Sequence, residues 1–188
     1  MSVLICDGAH AADIRAIWER NNHSPLRVYD HNPIKHSIPA REVYDEYCYI
    51  GINDPQERAR IAHKYFLDGA TPLIDRDAVI GRNCHISGGC VIAPSAVLLT
   101  DVWLGRHTHI NYGATMTRCS IGAFGTVSPG ATICGNVEIG IECMIGAGAV
   151  ICDRVRIGNQ VTVAAGAIVP PESIIPDGTT VIGVWKNV

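Results

Sequence analysis

Asp7-Gly8-Ala9-His10 follows one short apolar run, Ser2 to Cys6, and Asp30-His31-Asn32-Pro33 follows another, Leu26 to Tyr29. If the runs are parallel strands of one α/β unit, Gly8, Ala9, His10, Asp30 and Asn32 gather at the strands' carboxyl ends, where such units bind ligands. Gly8 would let a phosphate approach the backbone, and the N-terminus of the following helix would favour its charge. The same glycine would equally serve a turn that binds nothing. The other groups able to do chemistry are eight histidines and eight cysteines. Three imidazoles converging across an interface could hold zinc, but His85 and His109 are spaced for different sides of the repeat described next, so no metal site is expected. No C-x-x-C pair has zinc spacing, and the cysteines read as reduced structural thiols, with Cys119 the candidate for a reactive one.

The elements that must position these groups are written in a period. An aliphatic residue recurs every sixth position: Ile74, Ile80, Ile86, Ile92, Leu98, Leu104, Ile110, Met116, then Ile121, Val127, Ile133, Ile139, Ile145, Ile151, Ile157, Val163 and Val169. A row of small residues, such as Cys84, Cys90, Ala96, Ala114, Ala131, Cys143 and Ala149, stands four places after most of them. Helices repeat near 3.6 residues and ordinary strands at 2, so a strict six fits neither. It suits one flat side of a coil plus its corner, with both rows pointing inward, and three such units close a triangular prism. The count predicts a parallel β-helix of about five coils. The single slip, five residues from Met116 to Ile121, should be absorbed in a tighter corner, because the register is kept from Ile121 onward.

The first seventy residues have another texture. Strands are expected at Ser2 to Cys6, Leu26 to Tyr29 and Tyr47 to Ile52. Helices are expected through Ala12, Ile14, Ile17 and Trp18, and over Pro55 to Phe66 with Ile61, Ala62 and Tyr65 on one face. The chain thus divides into a small α/β domain at 1–70 and a β-helix with a C-terminal tail at 71–188, joined at Gly69-Ala70-Thr71-Pro72. The fold class is mainly β. A formal net charge of -3 and the lack of a basic run argue against a nucleic-acid partner. No apolar stretch reaches membrane-spanning length and no signal-like segment opens the chain, so a cytoplasmic protein without membrane insertion is expected. A bare prism face lined by small residues would gain most by packing on copies of itself.

The stretches "VLICDGAHAADI", "RHTHINYGAT", "GTVSPGATICGNVEIGIECMIGAGAVI" and "IPDGTTVIGV" resemble the bacterial sugar acyltransferases that acetylate sialic acids or UDP-4-amino-sugars. The resemblance spans nearly the whole chain and implies a Rossmann-like nucleotide-sugar domain, abbreviated here between Asn32 and Tyr47, before a left-handed parallel β-helix. It implies a homotrimer with acetyl-CoA in the groove between adjacent prisms and a small sugar acceptor. Gly135, Ala147 and Ala165 fall where main-chain groups of the family contact the cofactor, Asn111 at an active-site asparagine, and Gly8, His10, Asp30 and Asn32 near the nucleotide-sugar pocket. The family's Gly-Gly-His turn is Gly8-Ala9-His10 here.

The slip falls where the family carries its general base, a histidine two residues after the aliphatic equivalent to Met116, usually followed by an acidic residue. Straight counting puts Arg118 there, and a second family histidine is Thr126. An arginine stays protonated and cannot take the acceptor's proton. Three accounts follow. Another base serves, with His109 first and His107 next; an amine acceptor needs less help, with Arg118 holding an anionic group; or transfer is lost and a trimeric ligand-binding or scaffold protein remains.

Overall fold

The structure, a computed structural model, describes residues 3–6, 9–22, 27–30, 48–65 and 70–186. Strands β1 (Val3–Cys6), β2 (Arg27–Asp30) and β3 (Cys48–Gly51) form a parallel sheet in the order β2-β1-β3. Helix α1 (Ala9–Asn22) follows β1, and α2 (Pro55–Lys64) follows β3. Asp54 caps α2 through its side chain, which accepts from the Glu57 N–H, and Pro55 opens the first turn. Ile14, Ile17 and Trp18 are buried on one side of α1, as their spacing requires.

From Leu73 to Val181 the chain winds a left-handed β-helix of about 6 turns. Its strands stack as three parallel sheets, here called faces. Face 1 runs from Leu73–Ile74 through Val91–Ile92, His109–Ile110, Thr126–Val127, Met144–Ile145 and Thr162–Val163 to Thr180–Val181. Face 2 runs from Val79–Arg82 to Ile168–Val169, and face 3 from His85–Ile86 to Ile174–Ile175. The aliphatic row and the small row meet inside as one continuous core, with Ile92, Leu98, Val127, Ile145, Ile151 and Val163 all at 0 % exposure. Two rungs more than expected complete the prism. Ile175 and Val181 keep the six-residue step, but polar Ser173 and Thr179 occupy the small row and conceal it in the sequence.

Coils approach closely on the edge after face 3. A Cβ on Gly122 would lie within 2.7 Å of the Gly140 carbonyl group, and one on Gly105 within 2.4 Å of the Ala123 nitrogen, so only glycine fits there.

The N-terminal unit lies on the outer side of face 1. Ile14, Ile17, Trp18 and Tyr49 pack with Leu73, Val91 and Ala93, while Ile50, Ile52, Ile61 and Ala62 pack with Phe124. At the centre of this junction Arg58 of α2 is fully buried. It donates to the carbonyls of Ile52, Asn53, His107, Phe124 and Gly125 and to the Thr126 hydroxyl, at 2.6–3.1 Å. No carboxylate is among these partners. Burial lowers the guanidinium pKa to about 9, and Asp54 opposes the shift.

Candidate active site

The slip is confined to one corner. Ladder partners in adjacent coils are eighteen residues apart on either side of it, as in Thr115 with Val97 and Cys119 with Val137. Across it they are seventeen apart: Thr115 with Thr132, and Ser120 with Trp103. The corner between faces 2 and 3 holds Asn83, Asp101, Arg118, Asn136, Arg154 and Glu172, all with positive φ. Asp101 and Asn136 come three residues after their inward aliphatics, Leu98 and Ile133, whereas Arg118 comes two after Met116. The missing residue therefore lies between Met116 and Arg118. Arg118 occupies the corner place itself, one beyond the place at which the resemblance led a histidine to be expected, and no residue fills that place. Ile121 points inward at 3 % exposure, as expected.

Cys119 takes the inward place that Val102 and Val137 take on the rungs beside it. It is 4 % exposed, and burial pushes its thiol up to about 12, as it does that of Cys90. Cys119 is thus a core filler, in line with the reading of the cysteines as structural thiols, and the alternative of a reactive Cys119 is set aside.

Outside this corner lies an open groove of about 380 Å³, bordered by Asp101, Trp103, Arg118, Ser120, Asn136 and Glu138. The Arg118 guanidinium lies against Gly135, where a Cβ would come within 2.7 Å of Nη2. The Gly135 N–H donates to Asp153 Oδ1 and its carbonyl accepts from the Arg154 N–H. Ala147 and Ala165 sit exposed at the opposite edge of face 2. One chain thus separates Gly135 from the two alanines across a whole face.

His109 is on face 1, in register with Val91 and Thr126, and is 1 % exposed beneath the N-terminal unit. His107 forms the preceding corner with φ +55° and stacks on Phe124, centroids 5.3 Å apart. Neither histidine shares a face with Arg118. Asn111 follows the face 1 strand His109–Ile110 and donates from Nδ2 to the Val127 carbonyl. Its neighbour Tyr112 is hydrogen-bonded to Asp13 of α1. Partial burial and that carboxylate raise its phenol well above the usual range. Asp30 ends β2 beside Cys6 of β1, at the sheet's carboxyl edge, and His10 lies in the first turn of α1. Gly8 and Asn32 lie outside the described residues. Among the described residues no cluster could hold a metal ion, and no helix is long and apolar enough to cross a membrane.

Two features escaped the sequence. Arg58 shares the apolar face of α2 with Ile61 and Ala62, and a charge on that face was its signal. The groove residues carried none, because Trp103, Ser120 and Glu138 meet only through the stacking of three coils.

No family model and no curated protein matches the chain. Solved structures do. A histidine-to-asparagine mutant of perosamine N-acetyltransferase from Caulobacter crescentus, in complex with CoA and GDP-perosamine, is 24% identical with a TM-score of 0.84, over 97% of this chain and 94% of that one. WeeI from Acinetobacter baumannii is 21% identical, with a TM-score of 0.84 over 97% of each chain. The acetyltransferase domain of PglB from Neisseria gonorrhoeae, in complex with acetyl coenzyme A, is 22% identical, with a TM-score of 0.74 over 95% of this chain and 94% of that one. At these identities the likeness is one of fold, and it embraces the α/β unit and the prism together.

Proposed function

We propose that this protein transfers the acetyl group of acetyl-CoA to the amine of a nucleotide-linked amino sugar. One observation carries the reading. The chain matches, over nearly its full length and in both units, a perosamine N-acetyltransferase in complex with CoA and GDP-perosamine.

Face 2 supports a trimer. Its strands from Val97–Thr100 to Ile168–Val169 carry no charged side chain, and Val97, Leu99, Val150 and Ile168 lie on its outer side. Three prisms turning this face toward a common axis bring the Arg118 corner of one copy beside the Ala147 and Ala165 edge of the next. Gly135, Asn111 and the two alanines then border one cleft, and acetyl-CoA lies in it. Gly8, His10, Asp30 and Asn32 would hold the nucleotide end of the acceptor. A cytoplasmic setting follows from these co-substrates. Leu99→Arg should yield monomers by light scattering.

The chemistry favours nitrogen over oxygen. A sugar hydroxyl must lose its proton as it attacks, which calls for an imidazole. The groove at the slip offers the carboxylates of Asp101 and Glu138 instead, and His109 lies on face 1, away from it. A neutral amine attacks the thioester carbon unaided. The N–C bond forms, main-chain N–H groups of the cleft steady the oxyanion, the nitrogen's proton passes to a carboxylate or water, and the oxyanion collapses as the C–S bond breaks and CoA leaves as its thiolate. No covalent enzyme intermediate is needed. Arg118 would hold an anionic group of either substrate.

Calorimetry with acetyl-CoA, followed by mass detection of acetylated GDP-perosamine or UDP-4-amino-sugar, tests this. Binding with turnover supports transfer. Binding without turnover on any amino sugar supports the alternative, a trimeric ligand-binding or scaffold protein, which the vacant histidine place favours. Absence of acetyl-CoA binding defeats transfer and leaves the scaffold reading.

A further inference from the structure

The outer side of face 3 is a ladder of one side chain per coil: His85, Trp103, Ser120, Glu138, Arg156 and Ile174. The His85 and Trp103 rings are stacked, with centroids 3.8 Å apart and planes 22° apart. This fixes the indole flat across the ladder, with one ring face against His85 and the other turned toward Ser120. Trp103 is 55% exposed. Ser120 is the shortest side chain of the ladder, so the next rung beyond the indole is empty. Rungs are about 4.8 Å apart, so Trp103 and Glu138 are about 9–10 Å apart along the ladder. A ring stacked on the indole fits between them.

The polar groups around this slot are specific. Asp101 stands at the corner, one oxygen fixed by the Asn83 amide at 3.0 Å. Glu138 closes the far end, with Arg156 Nε 3.6 Å from one of its oxygens. Arg118 and Asn136 form the corner wall, Arg118 braced on Gly135. Two carboxylates stand against two guanidiniums, Arg118 and Arg156, so the slot has no net positive charge to draw a phosphate, and its acceptors suit a ligand rich in O–H or N–H donors. An exposed aromatic platform with convergent acceptors suits a flat, hydroxylated ring whose apolar side covers the indole and whose donors meet the acids.

We propose that the slot between Trp103 and Glu138, above Ser120, is a binding subsite for the pyranose ring of an amino sugar, with its amine or hydroxyls on Asp101 and Glu138. The identification of the ring as an acceptor rests on the function proposed above; the binding itself does not. The slot opens at the corner beside the cofactor cleft, so a sugar held there presents its amine at the place where the family histidine is missing.

Saturation-transfer NMR on the full chain tests it, with glucosamine and galactosamine as probes and adenosine monophosphate as a planar, phosphorylated competitor. Both substituted side chains face outward, so Trp103→Ala and Ser120→Tyr should keep the wild-type melting temperature; Ile174→Ala, two rungs below Glu138, is the control. The expected result is saturation of the amino sugars by the wild type and by Ile174→Ala. Trp103→Ala should weaken it about tenfold, and Ser120→Tyr, which fills the empty rung, should do the same. Three results overturn the proposal: no saturation of either sugar, saturation that survives Ser120→Tyr, or preferential displacement by adenosine monophosphate. Loss of acetyl-CoA binding would strike the proposed activity and leave this outcome intact.

Discussion

Replacing Arg58 weighs two large opposing effects. The guanidinium donates to five carbonyls and one hydroxyl. In Arg58→Met, Gly125 O would keep the His109 N–H, and Asn53 O would keep the Thr126 hydroxyl. Three carbonyls, those of Ile52, His107 and Phe124, would lose the donor from Arg58. At about 1–3 kcal/mol for each unsatisfied group, the loss is on the order of 6 kcal/mol. Against this, the fall of the Arg58 pKa to about 9 measures what burying its charge costs. At about 1.4 kcal/mol per unit, that is on the order of 5 kcal/mol, recovered when the charge is removed. The two nearly cancel, so Arg58→Met should cost only about 1–2 kcal/mol. Arg58→Ala, which also leaves a cavity, should cost about 3 kcal/mol more. Urea unfolding followed through Trp18, 5% exposed in the junction, measures both. The sign with pH is a second check. Above about pH 9 the folded state releases the Arg58 proton while the unfolded chain keeps it, so wild-type stability relative to Arg58→Met should rise with pH there and stay flat below. A cost above about 4 kcal/mol for Arg58→Met, or a difference that falls with pH, would refute the reasoning.

Gly122→Ala should lower stability by about 2–4 kcal/mol, read as a fall in melting temperature, because its Cβ meets the backbone of the next coil at 2.6–2.7 Å. Alkylation of the native protein at pH 8 should spare Cys90 and Cys119, whose thiols are pushed up to about 12, and reach half-buried Cys84, Cys134 and Cys152 before them, as mapped by mass spectrometry. A histidine inserted between Thr117 and Arg118 restores the eighteen-residue coil. It should leave stability within about 1 kcal/mol and raise kcat/KM for transfer to an amine by no more than about tenfold, with a new limb near pH 6.5 in the rate profile. Without the insertion, the rate should rise with pH only as the acceptor amine loses its proton.

The prism was legible because a solenoid repeats its demand for one large and one small inward residue at every rung, so the core reads as a period. It faded where polar Ser173 and Thr179 fill the small row. The strands and helices of the first unit matched their apolar spacing. Which prism face that unit covers was not legible, since packing between distant elements leaves no period. This is why His109, placed by its spacing from Asn111, turns out to lie beneath α2 and β3 and away from the Arg118 corner. Arg58 was hidden for the related reason that its partners are carbonyls, which no side-chain pattern reveals.

The seventeen-residue coil separates what holds the fold from what would do the chemistry. Inward side chains sit in the strands, and the corner between faces 2 and 3 lies outside the core. A residue can leave that corner at the cost of one tighter turn, and Arg118 takes its left-handed position at φ +42°. Ile121, Ile139 and Ile157 stay in register beyond it. Nothing in the folding energetics therefore protects a corner base from deletion. Only the reaction could protect it, and the reaction protects it in proportion to need. For a hydroxyl acceptor that need is about 100- to 10,000-fold in rate. For an amine that is neutral near pH 8 it shrinks to the fraction already deprotonated, leaving binding and orientation as the main demands. An aromatic platform and two carboxylates at a corner that offers no imidazole suit the proposed positioning of an amine better than the deprotonation of a hydroxyl.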